Sequence, residues 1–418
     1  MKPLDRAAIL AVGSELLTPS RLDTNSLHIT EQLNLLGIDV AFKAVVGDDR
    51  NEIRAALADA LARVDLIVCT GGLGPTDDDL TRDVAAAVLS RPLEEDAGIS
   101  ARIEARFASR GLTMPEINRR QAMVPRGARV LQNEVGTAPG LWMEQGDQVV
   151  LLLPGPPREM RAVLSGVLDA LRDRAAGVAI ARAVVRITGR TESHTEEVLR
   201  PLYVEWGRAG TPVAATILAS LGQIELHLSA RSRSRSDAEA AVRDAAAEAA
   251  EAVGHDVFSV DGRSMEQVVG DLLVTGGLTI AVAESCTGGL ITSQLTDVPG
   301  SSRYVTRAAV VYANEAKTAM LGVAAETIAR YGAVSDEVAR AMAEGVRTSA
   351  GADLGLGVTG IAGPGGGTAD KPVGTVAIAV AAASETRSRM FRFAGDRTQV
   401  KFHASQAALD MVRRLLAR

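Results

Sequence analysis

Short aliphatic runs alternate with helically spaced segments over the first third of the chain. Three runs that end in glycine- or proline-bearing turns predict buried parallel strands: residues 7–12, 64–69 and 149–153. Three segments with apolar positions at helical spacing predict helices: residues 24–36, 51–62 and about 158–173. Thr24 and Asn51 are predicted as helix N-caps. This alternation predicts a doubly wound α/β layer.

The middle of the chain predicts a smaller α+β module. Its strand-like segments are residues 182–188, 213–219 and 223–230. A helix is predicted at 193–205, and a second helix, rich in alanine and charge, begins at a capping box formed by Ser236 and Glu239. We interpret the Arg-Ser-Arg-Ser-Arg run at 231–235 as a solvated turn, with an anion-binding patch as the alternative, and residues 261–263 as a linker.

The last third of the chain returns to an α/β pattern. After a helix that begins at residue 264, the predicted strands are residues 278–283, 305–312, 354–359, 374–382 and 387–394. A final helix begins at residue 397. The fold class is therefore α/β, and we expect three domains with the following bounds: 1–175, 180–258 and 262–418.

Composition narrows the class of protein. A chain of 418 residues is too long for one ordinary core. The formal net charge of -6 argues against a dominant nucleic-acid surface, so we expect no nucleic-acid partner. Two cysteines in separate parts of the chain exclude a disulfide framework. No apolar run has the ~20 residues of a membrane span or the form of a signal peptide, so we expect a cytoplasmic protein without a membrane partner.

A polar, glycine-rich turn follows the predicted strand at 278–283. The turn reads Glu-Ser-Cys-Thr-Gly-Gly and places Ser285 at the carboxyl end of a strand and the start of a helix. Open α/β sheets bind ligands at that edge, and the N–H groups of a helix N-terminus favour an anion. The glycines allow backbone to approach a ligand closely. The alternative is a simple capped helix start.

Three further segments supply candidate groups to the same edge. Tyr312 closes a predicted strand, and Lys317 lies in the first turn of the next helix, where the helix dipole lowers the pKa of an amine. The loop after Thr359 contains four glycines and a proline within 363–367, and its N–H groups can converge on an oxyanion or a phosphate. Arg397 opens the last helix and can bind a phosphate through two nitrogens. Taken alone, each of these residues is equally compatible with a surface or strand-end position.

An acidic, glycine-rich turn follows the second predicted strand. It reads Thr-Gly-Gly-Leu-Gly-Pro-Thr-Asp-Asp-Asp-Leu-Thr over residues 70–81. Its glycines permit close approach to a phosphate, and Thr76 and Thr81 add donors. Because carboxylates lie where an anion would otherwise bind, the turn predicts a divalent metal cation that bridges Asp78 or Asp79 to a diphosphate. The alternative is an acidic first turn that complements the helix dipole.

The C-terminal motifs together resemble the C-terminal domain of the CinA family over about residues 264–418. The resemblance is carried by Glu-Ser-Cys-Thr-Gly-Gly, Tyr-Ala-Asn-Glu-Ala-Lys with the following Leu-Gly-Val, Gly-Val-Thr-Gly-Ile-Ala-Gly-Pro and Gly-Asp-Arg. It implies a nicotinamide mononucleotide deamidase, which hydrolyses the carboxamide to nicotinate mononucleotide and ammonia without a cofactor. The implied catalytic residues are Ser285, Tyr312 and Lys317. The implied substrate-binding residues are Thr287, Gly288, Gly289, Thr359, Gly360 and Arg397.

A mechanism follows from this resemblance. Neutral Lys317, together with Tyr312, would take the proton of Ser285, which attacks the carboxamide carbon. Backbone N–H groups of the two glycine-rich turns would hold the oxyanion, and Arg397 with a helix N-terminus would bind the 5′-phosphate. Cys286 is a rival nucleophile, although no histidine lies in the nearby motifs to activate it.

The N-terminal motifs resemble the molybdopterin-binding-like domain of the same family over about residues 7–172. Besides the acidic turn, they are Gly-Ser-Glu-Leu-Leu, Asp-Thr-Asn-Ser, Asn-Glu-Val-Gly-Thr-Ala-Pro-Gly and Leu-Pro-Gly-Pro-Pro-Arg-Glu-Met. In some members this domain hydrolyses ADP-ribose with a divalent metal, so the resemblance implies an ADP-ribose pyrophosphatase. The implied substrate-binding residues are Gly71, Gly72, Gly74, Thr76, Thr81 and Gly155. The implied metal ligands are Asp78 and Asp79.

The middle module corresponds to the KH-like linker domain of the family. Its Gly207-Arg-Ala-Gly210 is spelled like an RNA-clamping loop, but a strand-like segment follows it, whereas that loop joins two helices, so we expect a scaffold. The resemblance also implies a homodimer. Two alternatives to the deamidase are a molybdopterin- or nucleotide-binding protein with an inactive amidase domain, and a DNA-handling competence factor, against which the acidic balance counts.

Overall fold

The structure is a computed structural model that describes residues 2–220 and 222–417. The chain forms two compact units. The first comprises Met1–Arg182, Ala209–Val213 and Ser229–Val242, and the second Ala183–Arg208, Ala214–Leu228 and Arg243–Arg418. Because the two units interleave along the middle module, the three consecutive domains stay a prediction. Among the described residues, no helix is both long and apolar enough to cross a membrane.

The N-terminal part of the first unit is an α/β domain. Its elements are β1 (Arg6–Val12), α1 (Asn25–Leu35), β2 (Asp39–Val46), α2 (Arg50–Arg63), β3 (Leu66–Thr70), α3 (Thr81–Val88), β4 (Leu93–Glu95), α4 (Ala97–Ala108), β5 (Met123–Pro125), β6 (Arg129–Leu131), β7 (Gly140–Gln145), β8 (Gln148–Leu153), α5 (Pro157–Ser165) and α6 (Leu168–Arg174). Six strands form a sheet in the order β2-β1-β3-β8-β7-β6. The first four of these are parallel, and β7 and β6 continue the sheet antiparallel. The predicted α/β layer is confirmed.

The helix starts of this domain differ from the predicted caps. α2 begins after Asp49, whose carboxylate accepts the N–H group of Asn51, so Asp49 is the cap and Asn51 lies inside the helix. Thr24 precedes α1 but makes no capping hydrogen bond. Instead, Asp23 accepts the N–H group of Ser26. Aspartate is favoured at both helix starts because its charge also complements the helix dipole.

The middle segment forms an α+β module, as predicted. Its elements are β9 (Ala179–Thr188), α7 (Glu192–Arg208), β10 (Val213–Ser220), β11 (Gln223–Ser232), α8 (Arg235–Val253) and β12 (Val257–Ser259). The strand order is β10-β11-β9-β12. The predicted capping box is wrong, because the N–H group of Asp237 is bound by Ser234, and Glu239 pairs with Arg235 one turn earlier.

The C-terminal part of the second unit is a five-stranded α/β domain. Its elements are α9 (Met265–Gly276), β13 (Ile280–Glu284), α10 (Leu290–Asp297), β14 (Val305–Val310), α11 (Asn314–Leu321), α12 (Ala325–Tyr331), α13 (Asp336–Ala350), β15 (Leu354–Gly360), β16 (Thr375–Ala381), β17 (Thr386–Arg392) and α14 (Arg397–Leu416). The strand order is β14-β13-β15-β16-β17. β13 is parallel to both β14 and β15, so these three strands end at one edge, where the candidate residues follow them.

Glycines let α13 lie directly against β15. A Cβ on Gly355 would stand 2.0 Å from the carbonyl oxygen of Ala343, and one on Gly357 would stand 2.5 Å from that of Ala339. Both distances are shorter than atoms tolerate, so no larger residue fits at either position without moving the helix. This close packing fixes the position of β15, which carries Thr359 next to its carboxyl end.

Candidate active site

Ser285 and Lys317 meet at the carboxyl edge of the five-stranded sheet. Ser285 follows β13 and is 7% exposed, while Lys317 lies in α11 and is 1% exposed. The Nζ atom of Lys317 is 3.3 Å from Oγ of Ser285. The structure therefore brings these two candidate residues into direct contact, and the alternative of a surface lysine is wrong.

Main-chain carbonyl groups, not carboxylates, hold the amine of Lys317. Nζ donates to the carbonyl oxygens of Val311 at 3.0 Å and Tyr312 at 3.2 Å. No carboxylate of the described residues forms an ion pair with it. Burial lowers the pKa of Lys317, because the ammonium loses its hydration while the neutral amine loses little. The predicted direction is confirmed, but burial and not the helix dipole is the main cause.

Cys286, the residue after Ser285, has a poorly reactive thiol. Its side chain is buried, and burial raises the pKa of the thiol to about 12. The thiolate is the reactive form, so at neutral pH this cysteine is a poor nucleophile. The sulfur instead packs against Gly360, where a Cβ would lie 2.9 Å from Sγ. Gly360 thus admits Cys286 into the core at this edge.

The buried carboxylate of Glu284 binds the N–H groups at the start of α10. Its fully buried carboxylate accepts the N–H groups of Gly289, Ile291 and Thr292, at 2.9, 3.2 and 2.9 Å. The hydroxyl of Thr292 also donates to it at 2.7 Å. The N-terminal N–H groups of this helix are therefore occupied. The expectation that they bind an anion, with Gly289 among the donors, is not met by this geometry.

Two N–H groups of the same turn are available to a ligand. Gly288 donates its N–H group to the carbonyl oxygen of Ser285. The N–H groups of Cys286 and Thr287 donate to no other residue in the described part of the chain. The hydroxyl of Thr287, which is buried, likewise has no partner there. Within the turn at 286–289, the predicted N–H donors therefore narrow to residues 286 and 287.

Tyr312 occupies a different place from the one predicted. Its side chain is 61% exposed, and its hydroxyl accepts a hydrogen bond from Arg397 at 3.0 Å. Arg397 also donates to the carbonyl oxygen of Gly363 at 2.7 Å. Within the described residues, no hydrogen bond joins the phenol to Ser285 or Lys317, and Tyr312 reaches Lys317 only through its carbonyl group. Arg397 therefore joins the phenol to the glycine loop.

Thr359 supports the site without offering its hydroxyl to it. Thr359 is 1% exposed and donates its hydroxyl to the carbonyl oxygen of Ala333 at 2.8 Å. The glycine loop that follows is held at its far end by Lys371. This lysine donates to the carbonyl oxygens of Tyr331 and Val334, both at 2.8 Å. The loop is thus anchored at both ends, while residues 364–370 between them are exposed.

Lys401 is a candidate residue that the sequence motifs do not include. Its Nζ atom lies beside Gly288, where a Cβ would be 3.6 Å away. Lys401 follows Arg397 by one helical turn on α14, and this i, i+4 spacing is the available sequence signal. No acceptor among the described residues binds its amine. The start of α14 is capped by Asp396, which accepts the N–H group of Gln399, and Gln399 completes a capping box.

The N-terminal candidate residues surround a cavity of about 900 Å³ in the first unit. The predicted residues that line it are Gly71, Gly72, Gly74, Asp78, Asp79 and Gly155. Thr81 lies behind Gly72, where a Cβ would be 2.2 Å from its hydroxyl oxygen. Thr76 donates its N–H group and its hydroxyl to Asp79, at 2.9 and 2.5 Å. Thr76 therefore orients a carboxylate of the lining.

The lining of this cavity is acidic. Its charged residues are Arg21 and six carboxylates: Glu15, Asp23, Asp48, Asp78, Asp79 and Glu159. Among the described residues, no group of three or more histidine, cysteine, aspartate or glutamate side chains is placed to hold a metal ion. Asp78 and Asp79 thus fit a divalent cation only together with oxygens from a phosphate ligand. The amide oxygen of Asn25, in the same lining, lacks a partner in the described part of the chain.

Comparisons with known proteins give matches for both the C-terminal and the N-terminal motifs. Residues 262–416 match the family model "CinA C-terminal domain", and residues 8–173 match "Probable molybdopterin binding domain". Two CinA-like proteins, from Acidobacterium capsulatum and Koribacter versatilis, are each 46% identical, over 415 and 416 residues that cover 98% of this chain and 99% of each relative. A crystal structure of the protein CinA from Thermoplasma acidophilum is 35% identical with a TM-score of 0.38, and covers 40% of this chain and 98% of that one. On the near full-length identity of these relatives, the chain belongs to the CinA family.

Proposed function

We propose that this protein is a nicotinamide mononucleotide deamidase, which releases ammonia and nicotinate mononucleotide. The observation that carries the proposal is the buried amine of Lys317, 3.3 Å from Oγ of Ser285. Membership of the CinA family favours an enzyme, and the resemblance of the C-terminal motifs supports the substrate.

The hydrogen bonds of Lys317 favour activation of Ser285 by a neutral amine. A neutral amine has two N–H bonds and one lone pair. The carbonyl groups of Val311 and Tyr312 take the two N–H bonds, which leaves the lone pair for the hydroxyl of Ser285. Lys317 accepts the hydroxyl proton as Oγ bonds to the carboxamide carbon. It then gives this proton to the departing ammonia, and water hydrolyses the acyl-enzyme.

The remaining groups serve to bind the substrate. The N–H groups of Cys286 and Thr287 hold the tetrahedral oxyanion. Arg397 and Lys401 together carry two positive charges for a 5′-phosphate, whose own charge is about −1.5 to −2 at pH 7. Tyr312 orients Arg397 through its hydroxyl. The scheme uses no metal and no cofactor.

Removal of the Ser285 hydroxyl should abolish ammonia release. Ser285→Ala lacks the nucleophile, so we expect kcat with nicotinamide mononucleotide to fall about 10³-fold or more in an ammonia-coupled assay. Ser293→Ala removes an exposed hydroxyl on α10 and should keep the wild-type rate. Full activity of Ser285→Ala would reject the mechanism. Wild-type protein that releases no ammonia would favour the alternative with an inactive amidase domain.

The pH dependence should report the lowered pKa of Lys317. The active form is the neutral amine, so kcat/KM should rise with pH and level off below the ordinary lysine pKa of about 10.4. Activity is lost as pH falls through the lowered pKa, because Lys317 then carries its proton. Lys317→Arg stays protonated and should be inactive at every pH. Lys43→Met, on an exposed face of β2, should leave the profile unchanged, and a rate that declines steadily from pH 6 to 9 would contradict the assignment.

Lys401 should contribute to affinity for the phosphate only. Lys401→Gln removes a charged hydrogen bond, so KM for nicotinamide mononucleotide should rise about tenfold or more with kcat little changed. Lys401→Arg keeps the charge and should restore most of the affinity. The unphosphorylated nucleoside, nicotinamide riboside, serves as the matched substrate. An equal loss with both substrates would show that Lys401 acts on the fold and not on the phosphate.

A second candidate activity is hydrolysis of ADP-ribose in the acidic cavity. The cavity of about 900 Å³ and its carboxylates favour a diphosphate ligand that brings its own divalent cation. Incubation with ADP-ribose and Mg²⁺ or Mn²⁺ should yield AMP, and Asp78→Asn should reduce the yield tenfold or more. Asp77→Asn, whose exposed carboxylate pairs with Arg120 outside the lining, is the control. No AMP with either metal would reject this candidate.

A further inference from the structure

A cavity of about 440 Å³ borders α14 in the second unit and contains none of the candidate catalytic residues. Pockets for small molecules have volumes of about 300–1,000 Å³. Three ring side chains, Phe391, Phe393 and His403, line the cavity with Arg389 at the end of the row. Each ring is partly exposed, and the two phenylalanines pack against the domain core on one side and border the cavity on the other. Aromatic side chains that border a cavity are a common feature of ligand-binding sites.

The rings form a continuous aromatic row. Phe391 and Phe393 stack with their centroids 5.4 Å apart and an angle of 11° between their planes. Phe393 contacts His403 at 5.8 Å, and the guanidinium group of Arg389 lies 4.8 Å from the centre of Phe391. The whole chain has only six phenylalanines and five histidines, so three of these rings beside one cavity are a marked concentration. Such surfaces bind planar bases by stacking.

Polar groups in the same lining can bind the edge of a base. Nε2 of His403 is buried and has no hydrogen-bond partner within the described residues. Burial also lowers the pKa of His403, so the ring is neutral near pH 7 and can either donate or accept. The side-chain amide of Gln406 lies in the same lining and is held by Gln223 at 2.6 Å. These groups suit an uncharged heteroaromatic ring.

A more open groove of about 740 Å³ adjoins the cavity and shares Gly189 and Phe393 with it. Arg190 and Arg392 line this groove. Arg190 is paired with Asp256 at 2.5 Å, whereas Arg392 is exposed and forms no ion pair with any described residue. Arg392 is therefore available to an anion next to the aromatic row.

We propose that the cavity and the adjoining groove bind a mononucleotide, with its base against Phe391 and Phe393 and its phosphate on Arg392. The charges inside the cavity agree with a neutral base, because Asp256 and Asp410 are already paired with Arg414 at 2.9 and 2.6 Å. A phosphate ion would contact only Arg392, and a free base would contact only the aromatic row. A mononucleotide can contact both. The helix α14 also carries Arg397 and Lys401, so the bound nucleotide contacts the helix that presents the cations of the deamidase site.

Titration calorimetry on the full-length Ser285→Ala protein tests this site without substrate turnover. The probes are AMP, GMP, CMP and UMP with their nucleosides. At least one mononucleotide should bind, and Arg392→Gln should weaken it tenfold or more without weakening the nucleoside. Arg387→Gln, on the same strand but outside both linings, is the matched control.

Ala407→Phe fills the cavity and should abolish binding of both the mononucleotide and its nucleoside. If that variant loses its circular dichroism spectrum, Phe393→Leu, which keeps the volume without the ring, replaces it and should weaken both ligands.

Two results would overturn the proposal. The first is that none of the four mononucleotides binds the Ser285→Ala protein at millimolar concentration. The second is binding that Arg392→Gln leaves unchanged, because the nucleotide would then occupy another site: the site at Ser285 if Lys401→Gln abolishes binding, and the acidic cavity of the first unit if it does not. Both results are independent of whether the wild-type protein is a deamidase.

Discussion

A buried amine without a carboxylate partner is the constraint on which the C-terminal site depends. Lys317 is 1% exposed, and the free energy of burying its amine is lower for the neutral form than for the ammonium form. Two carbonyl groups offset the lost hydration of a buried ammonium only in part. The unfavourable burial of a charge thereby lowers the pKa of the amine, which is the property that the proposed base beside Ser285 requires. Two backbone bonds hold the segments that carry these side chains: Ser285 donates its N–H group to Val358, and Val311 donates its N–H group to Glu284.

Much of the fold could be predicted from the sequence, since buried parallel strands leave a strong local signal. The aliphatic runs that predict β1, β3 and β8 agree with the structure to within a few residues. β2, β6 and β7 give a weaker signal, because β2 is a partly exposed edge strand, β6 has only three residues and β7 ends in the polar pair Glu144 and Gln145. The caps are wrong where two polar residues compete within a few positions, as with Asp49 and Asn51.

The members of the candidate site were also predictable, but their contacts were not. Parallel strands end at one edge, so motifs that follow β13, β14 and β15 must lie near one another. Side-chain direction is a different matter. No local pattern indicates that the hydroxyl of Tyr312 meets Arg397 and not Ser285, or that Lys401 lies beside Gly288.

In the proposed deamidase, Glu284 leaves the binding of the substrate phosphate to side chains and not to the backbone of α10. Its carboxylate neutralises the positive end of α10, so the field of that helix contributes little to the capture of a phosphate. Under that proposal, binding of the phosphate depends on Arg397 and Lys401, whose charges are screened by dissolved ions within about 8–10 Å at physiological ionic strength. Salt should therefore weaken the encounter with an anionic substrate, whereas proton transfer between Lys317 and Ser285, sealed from the solvent, should be insensitive to it.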